Sequence, residues 1–169
     1  MKNLSCNVCV TVLVMVMSVC LTSCDSYFWT SGFESEGLFY VIQDGDKEVH
    51  VTGIYNKDSL TDVLTIPASV RQYGKDYKVV RIGKTVFYGM KSLKQVYLPE
   101  TIESIGEGAF DECPNIRLFF CPTIEPPLIM NTSFDPSIFT QCELYVPHAS
   151  LYQEADGWKS FVNIHNMDK

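Results

Sequence analysis

Apolar and polar positions in the middle of the chain follow a repeating order that a single helix or strand would not give. Residues 82–99 and residues 105–122 are apolar at the same offsets from their first residue, namely 0, 4, 5, 8, 11, 14, 15 and 16. This order predicts a coil with a short strand, a tight turn and one inward-facing apolar cluster. One coil cannot bury its apolar face alone, so several coils are expected to stack into a short, mostly β solenoid.

Four steps from an apolar residue to a proline mark the repeat, because proline has no N–H to donate and ends a strand. The steps are Ile66-Pro67, Leu98-Pro99, Cys121-Pro122 and Val146-Pro147. The first interval between these steps is the longest, and the other two are nearly equal. The surplus in the first interval falls in residues 71–79, which predict a small hairpin. The solenoid is therefore expected to span residues 63–147.

Residues 38–54 contain two alternating apolar runs on either side of Asp44-Gly45, which is a strong hairpin signal. We interpret residues 38–62 as an N-terminal β-hairpin cap on the solenoid. If the register follows the turn, four apolar side chains are expected to share one face, namely Phe39, Val41, Val49 and Val51.

The N-terminal residues indicate a compartment. The apolar run of residues 8–21 has the length of a signal-peptide core and is short for a membrane span of roughly 20 residues. It ends in "LTSC", residues 21–24, which resembles the bacterial lipobox and implies cleavage before Cys24 and a lipid on Cys24. An uncleaved anchor and a plain secretory signal are the alternatives. We therefore predict a lipoprotein signal peptide at residues 1–23 and a tether at residues 24–37.

The repeat resembles the BspA-like subfamily of bacterial leucine-rich repeats. Residues 105–116, "IGEGAFDECPNI", match the family unit closely. Residues 82–99, "IGKTVFYGMKSLKQVYLP", match it with Val86 in place of alanine and Met90 in place of cysteine. The tail at residues 144–164 is similar to the ending that is usual in the family.

The resemblance implies a right-handed leucine-rich-repeat-like solenoid with a C-terminal cap at residues 148–169, which contains a short helix and Trp158. Residues 121–142 depart from the family pattern because its Ile-Gly and Ala-Phe pairs are missing, so an irregular coil is expected there. Family members are often described as adhesion or host-interaction proteins. The resemblance therefore implies binding without catalysis.

Side chains alternate between the two faces of a strand, so the neighbours of buried positions point outward. Aligning the four proline steps gives one outward column of Val63, Gln95, Leu118 and Glu143, and a second of Thr65, Tyr97, Phe120 and Tyr145. Contiguous exposed apolar surface often marks an interaction site. The candidate binding face consists of Thr65, Tyr97, Leu118, Phe120 and Tyr145. A ladder that only stabilises the sheet, or one covered by the tether, is the alternative.

Charge is negative overall and uneven along the chain. The net charge is −7, and an acidic chain of this size argues against nucleic acid as a partner. Residues 71–94 nevertheless contain seven basic residues and one acidic residue. The candidate basic patch consists of Arg71, Lys75, Lys78, Arg81 and Lys84. Such a patch suits an acidic glycan or an acidic protein surface, and an ordinary solvated face is the alternative.

Residues that could carry catalysis or bind a metal do not form a recognisable set in the sequence. His50, His148 and His165 are isolated, without a second ligand at metal spacing. The sequence has no phosphate-binding loop, nucleophile elbow or zinc signature. Cys113 stands at the core cysteine position of the family, where packing is favoured over a reactive thiol. We therefore expect no catalytic residue, no metal, no cofactor and no enzymatic activity.

Together these patterns predict a non-catalytic lipoprotein of the bacterial cell envelope, anchored by lipid on Cys24 at the outer membrane or cell surface. It is expected to bind a protein or a glycan as an adhesion module. A structural or assembly subunit of an envelope complex is the alternative. The identity of the ligand, the facing of the protein and its oligomeric state stay open at this point.

Overall fold

The computed structural model describes residues 32–43, 47–55, 62–130 and 132–167, which form two β-sheets. In chain order the strands are β1 (Gly32–Ser35), β2 (Leu38–Ile42), β3 (Glu48–Ile54), β4 (Val63–Thr65), β5 (Ser69–Gln72), β6 (Lys75–Ile82), β7 (Gln95–Tyr97), β8 (Ser104–Ile105), β9 (Leu118–Phe120), β10 (Leu128–Ile129), β11 (Glu143–Val146) and β12 (Asn163–Asn166). The helices are α1 (Ile138–Gln141), α2 (Ala149–Glu154) and a 3₁₀ helix (Trp158–Ser160). The described part of the chain is therefore mostly β, as the sequence predicts.

The chain passes back and forth between the two sheets. The first sheet has the order β1-β2-β3-β6-β8-β10, with β5 beside β6, and the second has the order β12-β11-β9-β7-β4. Strands β3, β6, β8 and β10 are parallel neighbours, and every neighbouring pair in the second sheet is parallel. Each passage through both sheets makes one coil, and the next coil lies beside it.

Pairing of equivalent residues confirms the predicted repeat. Ile82 pairs with Ile105, its equivalent in the next coil, and Ile105 pairs with Ile129. Val96 and Phe119 pair in the same way in the second sheet. Apolar side chains at equivalent positions can be buried together only in this register, so the sequence period sets the strand pairing.

Aromatic rings from successive coils stack through the middle of the core. The ring centroids of Phe87 and Phe110 are 5.2 Å apart, and those of Phe110 and Phe134 are 5.8 Å apart. Phe119 meets both Phe110 and Phe134 edge-on. All four side chains are buried. Burial of each contributes about 1.5–3 kcal/mol, and each ring contact adds about 0.5–1.5 kcal/mol.

Two glycines stand where one coil touches the previous one. A Cβ at Gly83 would lie 2.9 Å from the carbonyl oxygen of Val51, and one at Gly106 would lie 2.8 Å from backbone atoms of Gly83 and Lys84. Backbone atoms cannot move aside as the end of a flexible side chain can. Close packing of neighbouring coils therefore requires glycine at both positions.

Residues 121–130 and 132–142 keep the coil geometry, so the expectation of an irregular coil is corrected. Ile129 in β10 pairs with Ile105, and Phe134 forms a bridge with Phe110 and stacks on its ring. The interval from Ile105 to Ile129 exceeds that from Ile82 to Ile105 by a single position. The chain thus makes another turn whose core motif is altered in sequence and retained in position.

Serine replaces alanine in this altered motif. Ser133 is fully buried one residue before Phe134, as Ala109 is before Phe110. The Ser133 hydroxyl donates to the carbonyl oxygen of Ile105 at 3.2 Å and accepts from the backbone N–H of Met130 at 2.9 Å. A buried hydroxyl is tolerated when it is hydrogen-bonded, which explains why serine fits an alanine position.

Strand β1 lies inside the segment predicted as a tether, so the predicted end of the tether at residue 37 is wrong. β1 pairs antiparallel with β2, and the ring of Phe33 is buried 5.6 Å from the ring of Tyr40. Glu36 and Gly37 have φ values of 51° and 81°, the backbone of a two-residue hairpin turn. The N-terminal strands therefore form a three-stranded meander rather than the predicted simple hairpin.

The apolar face predicted for β2 and β3 is also wrong. The two strands do pair antiparallel, but Tyr40 lies opposite Val51 and Ile42 lies opposite Val49. Opposite residues share a face, so Tyr40 is buried with the two valines, whereas Phe39 is exposed and Val41 is half-buried. The turn itself, at residues 44–46, lies outside the described residues.

Aromatic side chains close the core at its C-terminal end. Trp158 is buried, and its indole N–H donates to the carbonyl oxygen of Pro127 at 2.6 Å. The rings of Tyr152 and Phe161 lie 5.2 Å and 5.6 Å from that of Trp158. The sequence predicts one short helix for this end of the chain, and the structure has two, α2 and the 3₁₀ helix that contains Trp158, followed by β12. The right-handed sense of the solenoid and the capping roles of its two ends stay predictions.

Candidate binding face

Outward side chains of the second sheet form two straight columns. The register places Tyr97 beside Phe120 and Phe120 beside Tyr145, so the predicted alignment is confirmed. The other column follows the same rungs. The residues predicted as a binding face all stand in these two columns, namely Thr65, Tyr97, Leu118, Phe120 and Tyr145. Their alignment is a structural fact, and their role in binding is a proposal.

Rings in the aromatic column lean on their neighbours and keep part of their surface open to solvent. The rings of Tyr97 and Phe120 are 5.8 Å apart and tilted by 42°. Both side chains, like Tyr145, are half-buried. The Tyr97 hydroxyl donates to the side-chain oxygen of Gln95 at 3.1 Å, which fixes the ring across the two columns. The face is thus ordered by contacts between its own side chains.

Strand β12 adds a fifth rung that the sequence analysis missed. His165 pairs with Tyr145, and the two rings stack with centroids 5.1 Å apart. Nε2 of His165 lies 2.5 Å from a carboxylate oxygen of Glu143. The signal that could have found it is the alternation in β12, where Ile164 is flanked by two polar residues. That strand follows β11 after a shorter interval than the repeat predicts.

Chemically, the face offers contact area and hydrogen bonds. The ionisable side chains of the two columns, Glu143 and His165, pair with each other. Gln95 and Asn163 add amide groups that can donate and accept. Aromatic rings beside amides suit the surface of a protein or the hydroxyl groups and C–H faces of a glycan.

The candidate basic patch is largely paired with carboxylates. Arg71 and Lys75 stand on the β5–β6 hairpin, which confirms the predicted insertion, and Lys84 follows β6. Ion pairs join Arg71 to Asp76 at 3.6 Å, Lys78 to Glu103 at 3.2 Å and Lys84 to Glu107 at 3.0 Å. Arg71, Lys78 and Lys84 thus have acidic partners, which reduces the positive potential of the patch.

Buried thiols of this chain are poor nucleophiles. Burial raises the pKa of Cys113 to about 11 and that of Cys142 to about 12, and it also raises the pKa of Cys121. The Cys113 thiol donates to the carbonyl oxygen of Phe87 at 3.1 Å. A thiol reacts as its thiolate, so Cys113 is positioned for packing.

His50 lies opposite Arg81 between β3 and β6, and burial, followed by the Arg81 charge, lowers its pKa.

Two negative findings concern the described residues alone. They contain no group of three or more His, Cys, Asp or Glu side chains that could hold a metal ion. None of their helices is long and apolar enough to cross a membrane. The apolar run at residues 8–21 and the predicted lipidation site Cys24 lie outside the described residues.

Short parallel strands that recur at a nearly constant interval and bury equivalent side chains define a repeat protein. A family model described as "BspA type Leucine rich repeat region (6 copies)" matches residues 54–146, which is more than half of the chain. The chain belongs to this family of bacterial leucine-rich repeats. Leucine-rich repeats generally bind proteins and are typically non-enzymatic.

A solved structure gives the same fold. A leucine-rich repeat protein from Bacteroides capillosus aligns with a TM-score of 0.52 and 18% identity, over 82% of this chain and 99% of the other. A leucine rich cell surface protein from Faecalibacterium prausnitzii aligns with a TM-score of 0.48 and 20% identity, over 80% of this chain. This chain spans 30% of the length of the Faecalibacterium protein. A search of the curated proteins finds no match.

Proposed function

We propose that this protein is a non-catalytic lipoprotein of the bacterial envelope that binds a protein or a glycan through the outer face of its second sheet. The observation that carries the proposal is the aromatic column, which continues from Tyr97 through Phe120 and Tyr145 to His165 and stays half-open to solvent. Aromatic side chains are enriched in binding interfaces because they offer large, rigid contact surfaces.

Membrane attachment through a lipid on Cys24 belongs to the same proposal. Its support is the resemblance of residues 21–24 to a lipobox directly after an apolar run. Attachment at the outer membrane or cell surface would present the sheet face to partners. Mass spectrometry of the intact protein from cells tests this part, since a Cys24→Ala variant should lose the mass of the lipid. Equal masses apart from the substitution would contradict lipidation.

A structural or assembly subunit of an envelope complex remains the second candidate. The observation that favours it is the ring contact between neighbouring rungs, because rings that lean on each other stabilise a parallel sheet without any partner. Pull-down of the intact lipoprotein separates the two candidates. A stable stoichiometric envelope partner supports assembly, whereas capture of matrix proteins or glycans supports adhesion.

The double variant Tyr97→Ser/Phe120→Ser tests the binding face. We expect it to lose about tenfold or more in affinity for matrix proteins or glycans that the wild type captures, because tyrosine is enriched among the few interface residues whose truncation costs about 2 kcal/mol or more. Tyr73→Ser is the matched control, since Tyr73 is 85% exposed at the tip of the β5–β6 hairpin, away from the columns. A folded double variant that binds as well as the wild type would remove the sheet face from the proposal.

A further inference from the structure

The coil formed by residues 121–142 exposes aliphatic side chains that its own folding does not require. Ile124, Leu128 and Met130 are 62%, 78% and 59% exposed. Ile129, between the last two, turns inward and lies close to Gly157. Strand alternation therefore places Leu128 and Met130 together on the outer side. β10 is also the last strand in the order of the first sheet, so no described strand covers Leu128.

A cleft of about 320 Å³ begins beside these side chains. Its lining includes the apolar residues Ile102, Ile124, Pro126 and Pro127 and the acidic residues Glu100 and Glu125. Leu128 lies next to the cleft, because its backbone N–H donates to the carbonyl oxygen of the lining residue Glu103 at 2.9 Å. Ile124 thus lines the cleft, and the strand that carries Leu128 is bonded to the lining residue Glu103.

Charge at the cleft is negative and partly uncompensated. Lys78 lies in the lining but is paired with Glu103 at 3.2 Å. Within the described residues, Glu100 and Glu125 have no basic partner, and both are exposed. The site therefore combines exposed apolar side chains with a mixed polar cleft and two unpaired negative charges, a combination that repels polyanions and attracts a cation carried on an apolar segment.

We propose that this cleft, with Ile124, Leu128 and Met130, is a second binding site, which takes an extended peptide segment of a partner protein that carries lysine or arginine among aliphatic residues. The aliphatic side chains of the peptide cover Ile124, Leu128 and Met130, and its cation lies between Glu100 and Glu125. The site belongs to the first sheet and is separate from the aromatic columns, so it does not depend on the binding role of those columns.

Synthetic octapeptides test the chemistry of this site on the intact chain. We expect an alternating Leu/Lys peptide to bind at least about tenfold more tightly in calorimetry than an alternating Ser/Lys peptide or a Leu/Glu peptide. Equal affinity of the Leu/Lys and Ser/Lys peptides would show that charge alone drives binding and would overturn the proposal. Equal affinity of the Leu/Lys and Leu/Glu peptides would overturn the role of the carboxylates.

Variants then locate the binding. Ile124→Ser/Leu128→Ser should weaken the Leu/Lys peptide about tenfold, and Glu100→Gln/Glu125→Gln should weaken it and reduce its salt dependence. The matched controls are Val162→Ser and Glu154→Gln, which remove an exposed aliphatic side chain and an exposed carboxylate elsewhere and should bind as the wild type does.

Methyl NMR of the wild-type protein covers the case of a variant that does not fold. The resonances of Ile124, Leu128 and Met130 should shift when the Leu/Lys peptide is added, while those of Val162 should not. Shifts confined to other methyl groups, or control variants that lose as much affinity as the cleft variants, would place the peptide elsewhere and overturn the proposal.

Discussion

Cys113, Cys121 and Cys142 have fully buried side chains, and no disulfide joins them. Cys121 lies within 3.3 Å of the Thr123 hydroxyl and 3.4 Å of the Tyr152 hydroxyl, and the Tyr152 hydroxyl donates to the carbonyl oxygen of Thr123 at 2.9 Å. These thiols are parts of the core. In an oxidising compartment such as the one proposed for this protein, burial protects them from oxidation.

The raised thiol pKa values predict a loss of stability at alkaline pH. An unfolded cysteine loses its proton near pH 9, whereas folded Cys113 and Cys142 keep theirs to about 11 and about 12. Between these limits the unfolded chain binds fewer protons, so the free energy of unfolding falls as pH rises. Urea unfolding from pH 8 to pH 11 should show this fall.

A Cys113→Ala/Cys142→Ala variant is the control for that measurement, because lysine and tyrosine titrate in the same range. The variant should be less stable at neutral pH but should lose less stability on going to alkaline pH than the wild type. Peptide mapping after alkylation at pH 8 adds a second readout, in which the three core thiols react in urea and not in the folded protein. Rapid labelling of folded Cys113 would contradict the argument.

At the scale of elements, contact between coils fixes the residues at their closest approach. Gly106 lies so near the backbone of Gly83 and Lys84 that no side chain fits. We expect Gly106→Ala to lower the free energy of unfolding by about 1–3 kcal/mol, because the two coils must separate to admit a methyl group. Chemical denaturation measures this loss.

Gly53→Ala is the matched control for the glycine prediction. A Cβ at Gly53 would lie 3.7 Å from the side chain of Phe39, an ordinary contact, so the variant should stay within about 0.5 kcal/mol of the wild type. Equal stability of the Gly106 and Gly53 variants would show that the coils can move apart at little cost.

The coil at residues 121–142 shows where sequence reasoning about elements reaches its limit. Ile105 and Phe110 are recognisable in the sequence because glycine follows the first and alanine precedes the second. In the next coil Met130 and Ser133 replace this glycine and alanine, so the equivalent isoleucine and phenylalanine are not recognised. From the sequence, serine at position 133 is expected on the polar surface. Its burial depends on hydrogen bonds to the backbone of Ile105 and Met130. Those bonds exist only after the coils have stacked.

For the molecule as a whole, cross-coil ion pairs offset the cluster of basic residues. Lys78 and Lys84 each reach a glutamate of the next coil, Glu103 and Glu107. These exposed pairs add at most about 1 kcal/mol each to stability, but they cancel charge locally. With a net charge of −7, the protein should therefore bind sulfated polyanions weakly.

Heparin chromatography tests this expectation. The wild type should elute at or below about 150 mM salt. Glu103→Gln/Glu107→Gln should elute later, because Lys78 and Lys84 lose their acidic partners and a higher salt concentration is needed to screen their attraction to heparin. Glu112→Gln/Glu154→Gln makes the same change in net charge elsewhere and should elute near the wild type. Strong retention of the wild type would restore the basic patch as a binding site.

The amino-acid sequence by itself determined the repeat, the strand pairing it imposes and four rungs of the outward column, since these follow from burying equivalent apolar residues at a fixed period. Only the tertiary structure decided which neighbours pair with the strands that lie outside the regular repeat. It placed β1 beside β2, and it brought His165 beside Tyr145 after two intervening helices. It also paired the lysines with glutamates of the next coil and placed Ile124 in the lining of a cleft beside Glu100 and Glu125. Such contacts depend on where side chains lie in the folded protein, which the apolar period of the sequence does not specify.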